Sequence, residues 1–135
     1  MRVVVIDGQS GRMGQLFIQR AVETNLPCTL DCIGTNAIAT AAMLKAGAAN
    51  GATGENSVLV ACRTADIIVG PIAILASDSL MGEITPAMAV AIGQSQAKKL
   101  LLPVNQCRNW VVGTQNLSLS KLMDEAVALL HSLLI

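Results

Sequence analysis

Arg2-Val3-Val4-Val5-Ile6-Asp7-Gly8-Gln9-Ser10-Gly11-Arg12-Met13-Gly14 decides the fold. Val3-Val4-Val5-Ile6 is an unbroken β-branched run, too apolar for a strand with one wet face. It reads as a parallel strand buried on both sides. Asp7 opens a turn over residues 7–14. A 3.6-residue apolar period over 13–25 then predicts a helix, with Leu16, Phe17 and Ala21 inside and Arg20 at the margin.

The glycines in the turn are spaced G-x-x-G-x-x-G. Gly8 permits a tight turn, Gly11 lets backbone approach a phosphate, and Gly14 lets the helix pack near the strand. Free N–H groups and the dipole at a helix start favour an anion. Gly8, Gln9, Ser10, Gly11, Arg12, Met13 and Gly14 are therefore candidate cofactor-binding residues, with Ser10 and Arg12 adding side-chain contacts. The same spacing also serves a purely structural turn.

Working outward, residues 28–33 form a second strand, ended by Gly34, and residues 36–46 a helix closed by Gly47. A glycine-spaced stretch follows, with Gly47, Gly51 and Gly54. A third helix opens at Thr53 or Glu55 and runs to about 64. Residues 66–69 are a central strand, stopped by Gly70-Pro71, and 72–82 is a long connection of no assigned structure. Thr85-Pro86 is a helix start, a capping hydroxyl before a proline. Residues 99–102 are a strand, 110–112 a short edge strand, and Ser118 or Ser120 caps a last helix that runs close to Ile135. Alternating strands and helices imply a Rossmann-like, doubly wound α/β fold in one domain over 1–135. Its sheet should be mostly parallel, covered by helices on both faces, with the first strand near the centre.

Such sheets bind ligands beyond the carboxyl ends of their strands. Thr35, Asn36, Gly70, Pro71 and Asn105 each follow a predicted strand and should gather around one pocket with residues 8–14. Thr35 and Asn36 would bond a ribose or amide, or cap the second helix. Glu55 would complement a helix dipole. Glu83, in the long connection, is the one weak candidate for a catalytic acid or base.

Composition narrows the partners. Nine basic and nine acidic residues cancel, and aromatics are limited to Phe17 and Trp110. That leaves neither an electrostatic footprint for nucleic acid nor a base-stacking platform. Four cysteines without a C-x-x-C pair, and one histidine, His131, make a poor kit for zinc. Cys28 and Cys32 share a strand face as small buried hydrophobes, and Cys107 lacks a histidine partner in sequence. No apolar run is long enough to span a bilayer, and Met1-Arg2 leads straight into a strand without a signal peptide. A cytoplasmic protein is expected. Charged residues are only 13% of the chain, and the last helix carries leucines on more than one face. A homo-oligomer is therefore expected.

Two resemblances add to this reading. Gly8-Gln9-Ser10-Gly11-Arg12-Met13-Gly14-Gln15 resembles the pyridine-nucleotide loop of dihydrodipicolinate reductase. That implies an NAD(P) pyrophosphate held by the segment. The likeness ends with the first helix: Gly34-Thr35-Asn36 has no charged residue for the adenine ribose, and the reductase catalytic domain is absent. Across most of the chain, Gly34-Thr35-Asn36-Ala37-Ile38-Ala39-Thr40, Gly51-Ala52-Thr53-Gly54-Glu55-Asn56 and Gly82-Glu83-Ile84-Thr85-Pro86 resemble a family of small bacterial proteins defined as a domain of unknown function. It implies no activity. Three functions stay open: a nucleotide-binding or sensing module, a small enzyme acting on a phosphorylated or carboxylated metabolite, and an oligomeric interaction protein without ligand.

Overall fold

The computed structural model describes residues 1–104, 108–114 and 116–135. Five strands, β1 (Arg2–Asp7), β2 (Thr29–Gly34), β3 (Asn50–Thr53), β4 (Ile67–Pro71) and β5 (Lys98–Leu102), form one sheet in the order β3-β2-β1-β4-β5. Every pairing is parallel, and β1 lies at the centre. The helices are α1 (Arg12–Glu23), α2 (Ala37–Ala46), α3 (Glu55–Ala61), α4 (Pro86–Gln94) and α5 (Leu119–Leu134), with a 3-10 turn (Ile72–Leu75) after β4.

Alternation along the strands divides the core in two. Val3, Val5, Ile67, Val69, Leu100 and Leu102 pack under α1, α2 and α5. Val4, Ile6, Ile33 and Ile68 pack under α3, α4 and the 3-10 turn. Both faces of β1 and β4 are dry, which is why their sequences run apolar without a break. Cys32 is buried against the first cluster and Cys28 is half-buried beside it. Burial pushes the Cys32 thiol up to about 11, with Asp31 adding to the effect. It is an inert core thiol.

Two expectations need correction. Residues 50–53, in a glycine-spaced stretch to which no strand was assigned, form the edge strand β3, registered from Asp31↔Asn50 to Gly34↔Thr53. Residues 110–112 were expected as a strand and lie outside the sheet, with Trp110 and Val112 exposed. Boundaries moved by small amounts elsewhere. Strand β2 begins at Thr29, after Cys28, and Gly70-Pro71 are the last residues of β4 rather than its stop. Helix α3 ends at Ala61. No described helix is long and apolar enough to cross a membrane.

The expected caps are present. Thr85 Oγ accepts from the Met88 amide at 3.2 Å with Pro86 at the first helical position, and Ser118 accepts from the Lys121 amide. Thr85 also donates to Glu55 Oε1 at 2.6 Å, tying α4 to the first turn of α3. At the amino edge, Arg2 Nε donates to Asp31 at 2.8 Å and its backbone amide to Asp66 at 2.7 Å.

Candidate functional site

The strand order reverses between β1 and β4, so the crevice of interest lies over their carboxyl ends. Its floor is the first loop. Asp7, the last residue of β1, is buried, and its carboxylate accepts from the amides of Gly8 and Gly14, both at 2.8 Å. Gly14 lies in the first turn of α1, so a negative side chain of this protein already meets the positive end of that helix. Burial pushes the Asp7 carboxyl up, against the pull of the amides of Gly14, Gly8 and Met13. The sequence reading placed Asp7 only at the start of a turn. An acid immediately after a buried strand, seven positions before a helix glycine, was the signal for this role.

The three loop glycines face protein. A Cβ on Gly11, which has φ +74°, would stand 2.7 Å from the Ala39 backbone of α2. One on Gly14 would collide with Met43, and one on Gly8 would stand 2.6 Å from Thr35 Oγ. Gly11 and Gly14 thus let α1 and α2 pack closely. The outer side of the loop is open: Gln9, Ser10 and Arg12 are exposed. No ion pair engages Arg12 among the described residues.

The long connection folds back over this loop. Residues 76–84 form a strap of turns, with Leu80 and Ile84 buried and Met81 95% exposed at the tip. Asp78, Leu80 and Met81 hold φ of 65°, 54° and 55°, left-handed values that cost any residue with a side chain. The strap delivers Glu83. Its Oε1 accepts from the Gln9 amide at 2.9 Å, Thr35 Oγ at 2.6 Å and Asn36 Nδ2 at 2.7 Å. Asn36 works in two directions. Its Oδ1 caps α2 by accepting from the Ala39 amide at 2.9 Å, and its Nδ2 also donates to the Gln9 carbonyl at 3.0 Å. Partial burial pushes the Glu83 carboxyl up, but the bonds from Thr35, Gln9 and Asn36 outweigh it and hold the group below the ordinary glutamate value. Glu83 is an ionised acceptor at neutral pH, which suits it to receive a hydroxyl or amide.

The sequence candidates therefore divide. Residues 8–14, Thr35, Asn36 and Glu83 meet at one edge of the sheet. Gly70 and Pro71 reach the same edge but are buried, and a Cβ on Gly70 would stand 2.5 Å from the Ile6 carbonyl. Gly70 serves strand packing. Asn105 and Cys107 lie outside the described residues. A cleft of about 390 Å³ adjoins the loop between α1 and α5, lined by Arg12, Leu16, Gln19, Arg20 and Ser120 among others. Arg20 in it is held by Asp124 and Glu23. A larger cleft of about 640 Å³ opens between α3 and α4, beside Cys62, Arg63 and Ser95. Its lining comes from α3, α4 and the residues leading into β4 and β5, and includes none of Gln9, Thr35, Asn36 and Glu83.

A family model described as "Domain of unknown function (DUF3842)" matches residues 2–134. The chain belongs to this family. The match spans nearly every residue, whereas the likeness to dihydrodipicolinate reductase ends with α1 and finds no further support. No curated protein matches a DUF3842 chain of this sequence. Among solved structures, one described as a dodecameric FMN-dependent Ubix-like decarboxylase from Escherichia coli O157:H7 is similar, at 11% identity and a TM-score of 0.45. The alignment covers 98% of this chain and 93% of that one.

Proposed function

We propose that this DUF3842 protein is a binding module for a nucleotide-type small molecule, seated over the carboxyl ends of β1 and β2. The observation that supports this reading is the convergence of Gln9, Thr35, Asn36 and Glu83, drawn from the connections after β1, β2 and β4, at the carboxyl edge of the sheet. Arg12 borders the cleft between α1 and α5 and would meet a phosphate there, with Ser10 exposed on the same loop. In this arrangement the phosphate lies outside the glycine turn, because Asp7 occupies the helix end within it. A pyridine dinucleotide, NAD(P), is the finer form of the proposal.

A thermal-shift screen with NADH, NADPH, NAD, NADP, ATP, FAD and coenzyme A tests it. A ligand at 100 times its dissociation constant stabilises the folded state by roughly 2.7 kcal/mol. Selective stabilisation by one nucleotide, lost in Arg12→Ala, is expected. No response to any of them overturns the reading. One observation favours a second reading, an interaction module without ligand: each loop glycine has a protein neighbour that accounts for it.

A further inference from the structure

Glu83 has an asymmetric environment. Oε1 takes all three donors, while Oε2 takes none among the described residues. The donors are a backbone amide after β1 and two side chains after β2, all remote in sequence from the strap that brings the carboxylate to them. Gly8 beside them leaves no room for a further side chain, with Thr35 Oγ, Leu80 and the Glu83 carboxylate all within 3.1 Å of where its Cβ would be. The cradle is thus shaped around a single anionic oxygen. The strap that fills it keeps three non-glycine residues in the left-handed region, against their backbone preference. Glu83 itself is only half-buried, so its side chain can rotate into solvent without unseating Leu80 or Ile84.

We propose that Glu83 is an internal ligand. Its Oε1 closes a three-donor cradle that also accepts a carboxylate or phosphate oxygen from an external small molecule, and the protein is autoinhibited until that oxygen displaces Glu83. The inference rests on the carboxyl-edge site proposed above and adds its regulation and the charge of the incoming group. No bond is made or broken covalently. One carboxylate leaves three donors and another anionic oxygen takes them. Because the closed form withholds the donors, apparent affinity is reduced by the fraction of molecules that are open.

Glu83→Ala empties the cradle and provides the test. Sodium acetate and inorganic phosphate are compared with sodium chloride at equal ionic strength, by melting temperature and by the 15N-amide shift of Gln9. Acetate or phosphate should raise the melting temperature of Glu83→Ala by several degrees and that of the wild type by less, with affinity for the variant at least about tenfold higher. Acetate acting alone identifies a carboxylate site, and phosphate acting alone or more strongly identifies a phosphate site. Adding Thr35→Ala should abolish the effect. Glu83→Ser removes the carboxylate, leaves a polar side chain too short to fill the cradle and guards against a variant that fails to fold: a saturable acetate or phosphate shift at Gln9, stronger than in the wild type, is expected. No anion-specific response in either variant, or an equal response in variant and wild type, overturns the proposal. Rescue by anions with no nucleotide response leaves the autoinhibited cradle standing and removes the nucleotide reading. A nucleotide response without rescue does the reverse.

Discussion

The backbone amide of Gln9 donates to Oε1 of Glu83 at 2.9 Å, although 74 positions separate the two residues. This one bond closes the crevice at the strand-order reversal. It fastens the connection after β4 onto the loop after β1, and Thr35 and Asn36 extend the link to the end of β2. Three connections that parallel strands deliver to one edge are joined there through a single carboxylate oxygen.

Glu83→Ala should lower unfolding free energy by about 1–3 kcal/mol, the range for removing the charged acceptor of several hydrogen bonds at a half-buried site. Acid should weaken the wild type through the same group. Its folded-state pKa lies below the ordinary value of 4.5, so its contribution is complete above that value and fades as pH falls through the lower one. Glu83→Gln lacks this titration. Urea unfolding at neutral and acid pH should show the gap between wild type and Glu83→Gln narrowing on acidification; a constant gap contradicts the bonding described.

Glycine substitutions should sort by what they meet. Gly11→Ala puts a Cβ against the Ala39 backbone at a residue with φ +74°, so α2 must shift and the backbone is strained as well. Gly14→Ala meets the Met43 side chain, whose thioether is flexible but fully buried. The first should cost more than the second, which falls in the overpacking range of about 1–3 kcal/mol. Gly93→Ala, late in α4 with nothing within 4 Å, should be neutral or stabilising by about 0.5–1 kcal/mol. Denaturant midpoints of the three variants check the order.

That ranking shows what the sequence conveyed. The β1 and β4 runs were legible because both faces of each strand are dry, and the α4 start because Thr85 and Pro86 act locally. Strand β3 was not: Asn-Gly-Ala-Thr is short, exposed and lacks any apolar signal, and its pairing comes from β2. Trp110-Val111-Val112 misled in the opposite sense, having strand-like side chains but no partner strand among the described residues. At the site, the glycine spacing was visible, but Ala39 and Met43 as its cause were not, since they sit on another helix. Glu83 was singled out as a candidate acid or base in the long connection, but its three donors were not legible, because they lie in distant segments.

Asp7→Ala should be among the most damaging single changes outside the apolar core. It leaves the amides of Gly8 and Gly14 without their acceptor in a buried place, at about 1–3 kcal/mol for each. Asp7→Asn should cost less at neutral pH, since it retains one acceptor. The pH dependence has the opposite sign to that of Glu83. Burial raises the folded-state pKa of Asp7 above 3.8, so the folded protein holds its proton longer, and stability falls as pH rises between the two values. Asp7→Asn should flatten that segment of the wild-type stability curve, and calorimetry across acid pH would detect a failure to do so.

Assembly is the last expectation, and a second copy of the chain is its stated partner. In α5, Met123, Ala126, Val127 and Leu130 face the core, while Leu129 is 51% exposed on the other side. Leu129 borders a cleft of about 400 Å³ between α5 and the open edge of β5, whose walls include Leu101, Pro103 and Leu122. Strand β5 ends the sheet, so one side of its backbone has no neighbouring strand among the described residues. Trp110 and Val112 add exposed apolar surface to the segment leading into the same cleft. Apolar surface next to a free strand edge favours association over a bare monomer. Light scattering at micromolar concentration should therefore give a mass well above the 14.0 kDa of one chain. Leu129→Glu puts a charge on that surface without touching the core, so it should shift the mass toward one chain while preserving the circular dichroism spectrum. A wild-type mass of one chain would show that the α5 and β5 surface stays exposed and is not an interface between copies.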